Sequence, residues 1–196
     1  MDPKDRWLGQ VAVLVPVKAF AHAKVRLAPA LDAASRAALA QSMATRVLLA
    51  AASLPVAVVC DDPGVAAWAR REGALVVWEP GRGLNGAVEA GVSRLAQAGV
   101  ERVIVAHGDL PLAHDLAALG RGPGVTLVPD RRDDGTNVIS LPADAGFRFA
   151  YGPGSFARHC VESDRLRLPR TIVRDARLAF DVDLPADLAG LDITPR

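Results

Sequence analysis

Lysine is scarce in this sequence of 196 residues, in which arginine supplies nearly all of the positive charge. The only lysines are Lys4, Lys18 and Lys24, within a total of 23 lysines and arginines, and the formal net charge is +1. No long run of basic or acidic residues occurs. Because nucleic-acid binding needs a basic face that neutralises phosphates, this charge pattern argues against a nucleic-acid partner.

Cysteines and long apolar runs are also scarce. The two cysteines, Cys60 and Cys160, stand alone, without the spacing of a metal site or a disulfide framework. The longest apolar stretch, 47–60, is interrupted by Ser53 and Pro55, and it falls short of the ~20 residues that a membrane-spanning helix needs. The N-terminal segment has no apolar core of the kind found in signal peptides. We therefore expect a cytoplasmic protein without a membrane segment.

Two nucleotide-binding fingerprints are absent from the sequence. The first apolar run, 11–15, is followed by Pro16, Val17 and Lys18, and not by the Gly-x-Gly-x-x-Gly of dinucleotide-binding folds. The Gly-x-x-x-x-Gly-Lys-Ser/Thr phosphate-binding loop does not occur either. A dehydrogenase or a kinase of the phosphate-loop class is therefore not expected.

Short apolar runs rich in β-branched residues alternate with helical patterns. The predicted strands are 11–15, 56–60, 75–78, 103–106, 125–128, 138–141 and 171–173. The predicted helices are 35–52, with Ser35 as its N-cap, then 63–72 and 84–98. Strands alternating with helices imply a mostly parallel sheet with helices on both faces, and 126–141 adds two antiparallel strands joined by a polar turn. The fold class is α/β, and we expect one domain over 1–196.

The loop after the first predicted strand contains Lys18, Lys24 and Arg26. Lysine provides a compact, flexible charge and arginine a planar fork, and both suit the oxygens of a polyphosphate. In open α/β sheets, ligands bind at the carboxyl ends of the strands, where this loop lies. The loop predicts a nucleoside triphosphate site, and a solvated loop with chance lysines is the alternative.

Asp109 follows the fully apolar predicted strand 103–106 and comes directly after Gly108. Mg²⁺ takes one or two carboxylates together with phosphate oxygens, so an aspartate beside a triphosphate site predicts a magnesium ligand. The alternative is an aspartate that caps the next helix. His107 is expected to be a structural histidine with satisfied hydrogen bonds, because no second His or Cys has the spacing of a zinc site.

Two further aspartates, Asp181 and Asp183, alternate along what the pattern predicts to be a short strand, so both would face the same side. Paired carboxylates seldom serve a core unless a cation or hydrogen-bond donors neutralise them. One of the two could complete a metal site with Asp109, while the other would cap or brace the chain. Asp187 is expected only to add a favourable charge in the first turn of the last helix.

Glycines and hydroxyl side chains recur in two later segments, 135–137 and 151–159. Thr136 lies in the first, and Gly152 and Ser155 precede a predicted helix in the second. Backbone N–H groups at a helix N-terminus can bind an anion, although an ordinary turn with an N-cap is the alternative. Together with the cationic loop, the chain offers two phosphate-binding places, which suggests a nucleotide donor and a phosphorylated acceptor.

Six motifs in this order resemble the 2-phospho-L-lactate/phosphoenolpyruvate guanylyltransferase family. They are Val-Pro-Val-Lys18 with Ala-Lys24-Val-Arg26-Leu, Gly83-Leu-Asn85-Gly-Ala, Gly108-Asp109-Leu-Pro-Leu, Gly135-Thr-Asn137, Tyr151-Gly-Pro-Gly-Ser155-Phe and Phe180-Asp-Val-Asp183-Leu-Pro. The resemblance covers residues 11–188. The family often has Thr where this chain has Leu184, and Phe where it has Tyr151, but neither departure removes a proposed ligand.

This family belongs to the nucleotidyltransferase superfamily and acts in the biosynthesis of coenzyme F-420. The resemblance implies a three-layer α/β fold and a reaction of GTP with phosphoenolpyruvate or 2-phospho-L-lactate that releases pyrophosphate. It assigns catalysis to Lys18, Lys24, Asp109 and Asp183, with Mg²⁺ on the two aspartates. It assigns GTP binding to Val15, Pro16, Lys18, Lys24, Arg26 and Asn85, and binding of the acid to Thr136, Gly152 and Ser155. Asn85 could equally be a turn residue.

Two alternatives stay open at this point. Another nucleotidyltransferase would join GTP to a molybdopterin or CTP to a methylerythritol phosphate, although the enzymes of that kind have a glycine-rich first loop. A catalytically silent nucleotide-sensing module would share the fold, but the retained pair Asp109 and Asp183 favours an enzyme. The expected partners are GTP and the acid, with a downstream deazaflavin transferase and a second copy of the chain as further candidates.

Overall fold

Seven strands form one continuous sheet in the computed structural model of this chain, which describes residues 10–51 and 53–189. The strands are β1 (Val11–Pro16), β2 (Val56–Cys60), β3 (Leu75–Trp78), β4 (Arg102–Ala106), β5 (Val125–Pro129), β6 (Thr136–Pro142) and β7 (Arg170–Ile172). Their order in the sheet is β3-β2-β1-β4-β6-β5-β7. Strands β1 to β4 pair in parallel, and β7 pairs in parallel with β5. Strand β6 runs antiparallel to β4 and β5, which confirms the predicted insertion.

Helices cover both faces of this sheet. They are α1 (Ala33–Ala50), α2 (Pro63–Arg71), α3 (Gly83–Gln97) and α4 (Ser155–Arg165). Successive side chains of β1 point to opposite faces, so Val13 and Val15 join the core formed with α1 and α2, whereas Leu14 joins the core formed with α3. Such burial on both faces explains why the strands appear as continuous apolar runs. The predicted three-layer α/β fold is confirmed.

Helix α1 begins two residues before its predicted start, and Ser35 is not its N-cap. Asp32 occupies that position, and its Oδ1 accepts a hydrogen bond from the backbone N–H of Ser35 at 2.7 Å. Aspartate caps a helix as well as serine does, so the chain becomes helical at the earlier of two suitable residues. The predicted last residue, 52, lies outside the described residues. Helices α2 and α3 begin and end within one residue of their predicted bounds.

The strand predicted around Asp181 and Asp183 is absent, and residues 173–184 follow an irregular path. The backbone N–H groups of Asp183 and Leu184 donate to Oδ2 of Asp187, at 2.9 and 2.8 Å. A side chain therefore satisfies the N–H groups that a strand would have offered to a neighbouring strand. Polar and apolar residues do alternate in this segment, but the segment does not form a strand.

Two further predictions concern membrane segments and disulfides. No helix in the described ranges has both the length and the apolar character needed to cross a membrane. Cys60 and Cys160 are free thiols, and Cys60 is buried at the end of β2, as befits a cysteine that packs as a small apolar side chain. The single domain over 1–196 and the cytoplasmic location stay predictions.

Gly91 lies where α3 packs closely on β1. A methyl group added there would lie 2.7 Å from Cδ2 of the buried Leu14. Alanine favours a helix over glycine by about 0.5–1 kcal/mol, but overpacking a core costs about 1–3 kcal/mol. Gly91→Ala should therefore lower the free energy of unfolding by about 1–2 kcal/mol in urea titrations. Ser93→Ala, on the exposed side of α3, is the control, and an unchanged or higher stability of Gly91→Ala would contradict the packing argument.

Candidate active site

A cleft of roughly 400 Å³ opens where β1 and β4 end, at the carboxyl edge of the sheet. Its lining comes from the loops after these strands, from α1, from the start of α3 and from the C-terminal segment. Six predicted site residues line it: Pro16, Lys18, Lys24, Arg26, Asp109 and Asp183. Five others do not: Val15, Asn85, Thr136, Gly152 and Ser155. The structure thus brings the cationic loop and the two proposed metal ligands to one place.

The ammonium group of Lys24 is held between two carboxylates in this cleft. Its Nζ donates to Oδ2 of Asp109 at 2.7 Å and to Oδ1 of Asp183 at 3.0 Å. The backbone of Lys24 is left-handed, with φ 54° and ψ 40°, a conformation that costs a residue other than glycine about 1–3 kcal/mol. Its side chain is only 10% exposed. The backbone bend and the buried charge are both compensated by the two ion pairs.

These contacts keep the central groups ionised. Burial opposes the positive charge of Lys24, but Asp109 and Asp183 outweigh it, and the pKa of Lys24 is raised above its ordinary value. Burial likewise opposes the negative charge of Asp109, yet the neighbouring ammonium outweighs it, and the pKa of Asp109 is lowered. Lys24 and Asp109 are therefore both charged at neutral pH.

Lys18 and Arg26 are exposed cations that also line the cleft. Nη1 of Arg26 lies 3.6 Å from Oδ2 of Asp183, and the guanidinium side chain is 75% exposed. An exposed ion pair of this kind contributes about 0–1 kcal/mol. Lys18 forms no ion pair within residues 10–51 and 53–189. Both cations can therefore bind phosphate oxygens without breaking a strong contact.

Asp109 and Asp183 fit a magnesium ion by their chemistry and placement. Their oxygens converge on one cation, and Oδ1 of Asp109 is buried with no hydrogen-bond partner among the described residues. Mg²⁺ prefers hard carboxylate oxygens and completes its coordination with phosphate oxygens and water. In the described part of the chain, no three His, Cys, Asp or Glu side chains surround a metal position. The remaining ligands would therefore come from the nucleotide and water.

Asp181, the alternative second metal ligand, occupies a different environment from Asp183. Burial, followed by the charge of Asp109, raises the pKa of Asp181 to about 6. The structure places Asp183, and not Asp181, in contact with Lys24. The choice of Asp183 as a metal ligand stays a prediction that this contact favours.

The residues predicted to bind the acid lie around the start of α4. The backbone N–H of Ser155 donates to the carbonyl oxygen of Gly152 at 3.0 Å, and that of Gly154 donates to Oδ1 of Asp134 at 3.0 Å. The backbone N–H of Phe156 donates to the carbonyl oxygen of Asp134 at 3.0 Å. Three N–H groups at this helix start are therefore already used, including that of Ser155. The donors that remain for the acid are the N–H of Gly152 and the hydroxyls of Thr136 and Ser155.

Asn85 braces the turn that leads to α4. Its Oδ1 accepts a hydrogen bond from the backbone N–H of Tyr151 at 2.7 Å. Arg158 holds the same turn by donating to the carbonyl oxygens of Ala150 and Pro153, at 2.8 and 2.6 Å. The role that the structure shows for Asn85 is therefore structural, and its contact with the ribose or the base stays a prediction.

The expectation that His107 has satisfied hydrogen bonds is wrong. Its ring centroid lies 4.7 Å from that of Tyr151. Within the described residues, neither Nε2 of His107 nor the hydroxyl of Tyr151 has a hydrogen-bond partner, although both atoms are buried. Burial lowers the pKa of His107, so its ring is neutral at pH 7. The sequence contains no signal for this, because the neighbours of a buried ring depend on packing.

Asp187 does more than the sequence predicted for it. Besides accepting from two backbone N–H groups, it pairs through Oδ1 with Nη2 of Arg131 at 2.9 Å. The guanidinium of Arg131 also stacks on the ring of Phe180, 4.2 Å from its centroid. These contacts hold the irregular segment that presents Asp183 to Lys24. The only sequence signal was an acidic residue two positions after Pro185.

The chain is similar to known proteins over nearly its whole length. Residues 11–194 match the protein family described as "Guanylyl transferase CofC like". The chain belongs to this family. A phosphoenolpyruvate guanylyltransferase of Rubrobacter xylanophilus is 38% identical over 191 residues, which are 93% of this chain and 93% of that protein. A protein of the same name from Sphaerobacter thermophilus is 36% identical over 187 residues, covering 91% and 90% of the two chains.

Solved structures show the same fold at low sequence identity. A nucleotidyl transferase from Methanothermobacter thermautotroptrophicus has a TM-score of 0.62 at 15% identity, covering 91% of this chain and 94% of that one. A glucosyl-3-phosphoglycerate synthase from Mycobacterium tuberculosis, solved with Mg²⁺ and uridine diphosphate, has a TM-score of 0.54 at 14% identity, covering 84% and 68%. The predicted nucleotidyltransferase fold is therefore confirmed.

Loss of the Lys24 ammonium should destabilise the protein in a pH-dependent way. Lys24→Met removes two hydrogen bonds to charged groups, each worth about 1.5–3 kcal/mol, so the free energy of unfolding at pH 7 should fall by about 3–5 kcal/mol. Lys24 lowers the pKa of Asp109, so this stabilisation is present above about pH 4 and is lost as the pH falls through the folded pKa. The difference between wild type and variant should therefore stay constant from pH 7 to about pH 4 and narrow as the pH falls below about 4 in urea titrations.

The matched control for this measurement is Asp109→Asn in the Lys24→Met background. Removing the charge of Asp109 should recover part of the lost stability at pH 7, because this carboxylate would otherwise be left without a cation, whereas Asp183 keeps Arg26. A stability difference that does not change with pH would show that Lys24 acts through packing and not through its charge.

Proposed function

We propose that this chain transfers GMP from GTP to a phosphorylated three-carbon acid and releases pyrophosphate, in the biosynthesis of coenzyme F-420. The observation that carries this proposal is the ammonium of Lys24 held by Asp109 and Asp183 in a cleft that also contains the exposed cations Lys18 and Arg26. Phosphoenolpyruvate is preferred to 2-phospho-L-lactate as the acid, because the curated relatives bear its name.

The three cations suit the triphosphate of GTP. Lys18 and Arg26 are exposed at the cleft and would bind phosphate oxygens first. Lys24 would then offset the negative charge that develops on the leaving pyrophosphate, in a site where partial burial strengthens the interaction. Pro16 lines the cleft, and Val15, the residue before it, is buried in the core, which supports a nucleotide position at the end of β1.

The acid supplies the nucleophile in this reaction. An oxygen of its phosphate, already anionic at neutral pH, attacks the α-phosphorus of GTP. A new P–O bond forms while the bond to the bridging oxygen breaks, and pyrophosphate leaves with that electron pair. The protein therefore contributes positioning and charge stabilisation, and no side chain has to remove a proton. Thr136, Gly152 and Ser155 are proposed to hold the phosphate of the acid.

Asp109 and Asp183 are proposed to hold Mg²⁺ during this reaction. The ion would neutralise charge on the α-phosphate and orient it. Support comes from the two converging carboxylates and from the buried, unpartnered Oδ1 of Asp109. A neighbour of the same fold was solved with Mg²⁺ and a nucleotide, which is consistent with this proposal.

Two protein partners are proposed besides the substrates GTP and the acid: a downstream enzyme and a second copy of the chain. A guanylylated enol acid carries an activated diphosphate, so an enzyme that transfers the acid to a deazaflavin would consume it. We propose this downstream deazaflavin transferase as the next enzyme. A homodimer also stays a prediction.

The choice of substrates is tested by a panel of acids. We expect pyrophosphate release from GTP and Mg²⁺ with phosphoenolpyruvate, at a rate higher than with 2-phospho-L-lactate or 3-phosphoglycerate. The downstream transferase should be included to trap an unstable product. CTP with methylerythritol phosphate, and GTP with molybdopterin, are the control pairs. Turnover of a control pair would contradict the proposal, and tight GTP binding without turnover of any acid would favour a nucleotide-sensing module.

The role of Asp109 is tested by Asp109→Asn, which keeps the size of the side chain and removes its charge. Pyrophosphate release should fall by at least about 100-fold, because the ligand of Mg²⁺ and the partner of Lys24 are both weakened. Asp144→Asn is the matched control. Asp144 is exposed just beyond the end of β6, at the edge of the sheet opposite the cleft. Near-normal turnover by folded Asp109→Asn would contradict the proposed role.

A further inference from the structure

His159 lies at the centre of a buried group of hydrogen bonds that reaches Thr136. The ring belongs to the second turn of α4 and has no exposed surface. Its Nδ1 lies 3.0 Å from Oγ1 of Thr136, and its Nε2 lies 3.0 Å from the backbone nitrogen of Ala150. Both ring nitrogens therefore have partners, unlike Nε2 of His107.

The chemistry of these partners decides where the proton of the ring lies. The backbone N–H of Ala150 can only donate, so Nε2 of His159 accepts and carries no proton. Burial lowers the pKa of His159 to about 4, so the ring is neutral and its single proton lies on Nδ1. Nδ1–H therefore donates to Oγ1 of Thr136, and the hydroxyl is the acceptor in this contact.

The hydroxyl proton of Thr136 is left without an acceptor. Thr136 is 1% exposed, and among residues 10–51 and 53–189 its side chain forms a hydrogen bond with His159 alone. Because Oγ1 already accepts from Nδ1–H, its own O–H must point away from the ring. Buried donors are seldom left unpaired in folded proteins. This uncommitted donor therefore marks a position where an oxygen atom of a ligand can accept.

We propose that His159 is a positioning residue of the acid-binding site, which holds the Thr136 hydroxyl as a donor to the phosphate of the acid. The inference rests on the proposed function, because that function assigns Thr136 to the acid. The bond from Ala150 also fixes the backbone two residues before Gly152. Ser155 lies one helical turn before His159, so one buried ring connects all three elements assigned to the acid.

The first test separates the two hydrogen bonds of the ring. His159→Gln keeps an oxygen that can accept from Ala150 and loses the donor to Thr136. His159→Asn keeps an N–H donor near the position of Nδ1. We expect His159→Gln to raise the KM for phosphoenolpyruvate by about ten-fold, with the KM for GTP within about two-fold of wild type. His159→Asn should keep most of the wild-type affinity for the acid.

A double-mutant cycle asks whether His159 acts through the Thr136 hydroxyl. Thr136→Val removes that hydroxyl with little change in volume and should itself raise the KM for phosphoenolpyruvate. In the Thr136→Val background, His159→Gln should have no further effect on this KM. Ser163→Ala is the control within the same helix, because it deletes the 2.8 Å hydrogen bond to the carbonyl oxygen of His159 and leaves the ring untouched. It should lower stability and leave the KM for the acid unchanged.

A measurement independent of turnover follows the ring itself. In ¹⁵N-histidine spectra of the wild-type protein, His159 should show the Nδ1–H tautomer, and its signals should shift when phosphoenolpyruvate is added without GTP. An Nε2–H tautomer, equal effects of His159→Gln with and without Thr136→Val, or an unchanged KM in His159→Gln would overturn the inference. Wild-type protein that releases no pyrophosphate with any acid would instead contradict the proposed function.

Discussion

The ion pairs of Lys24 with Asp109 and Asp183 connect three distant parts of the chain, separated by up to 159 residues. Lys24 follows β1, Asp109 follows β4, and Asp183 comes from the irregular C-terminal segment. A largely buried ammonium and a carboxylate would each be costly alone, but together they keep both charges and hold the segment against the sheet edge. The cleft depends on this pairing, because it sets the position of cations and carboxylates relative to one another.

The antiparallel strand β6 brings the residues proposed to bind the acid to the same edge of the sheet. Because β6 runs against β4, its first residues meet the last residues of β4, and the backbone N–H of His107 donates to the carbonyl oxygen of Asn137 at 3.0 Å. Thr136 is thereby brought near the loop that contains Asp109. The parallel strands supply the cationic half of the site, and the inserted strand with α4 supplies the half proposed for the acid.

Much of the fold follows from the sequence, because buried parallel strands appear as continuous apolar runs and helix starts such as Asp62-Pro63 have local chemistry. The family follows from the order of motifs that are individually weak. The strand predicted at Asp181 and Asp183 failed because a side chain, Asp187, satisfies the backbone N–H groups. The left-handed bend of Lys24 and the tautomer of His159 could not be predicted either, since both depend on contacts formed only in the folded protein.

We propose that the nucleotide binds where Lys24 pairs with Asp109 and Asp183, with its α-phosphate beside the two aspartates. The proposed function depends on this placement. It is tested most directly by a crystal structure with Mn²⁺ and a GTP analogue that has a carbon bridge between the α- and β-phosphates. We expect an anomalous peak for Mn²⁺ at the carboxylates of Asp109 and Asp183, with the Lys24 ammonium moved onto phosphate oxygens. Nucleotide bound elsewhere, with Lys24 still bridging both aspartates, would contradict this claim.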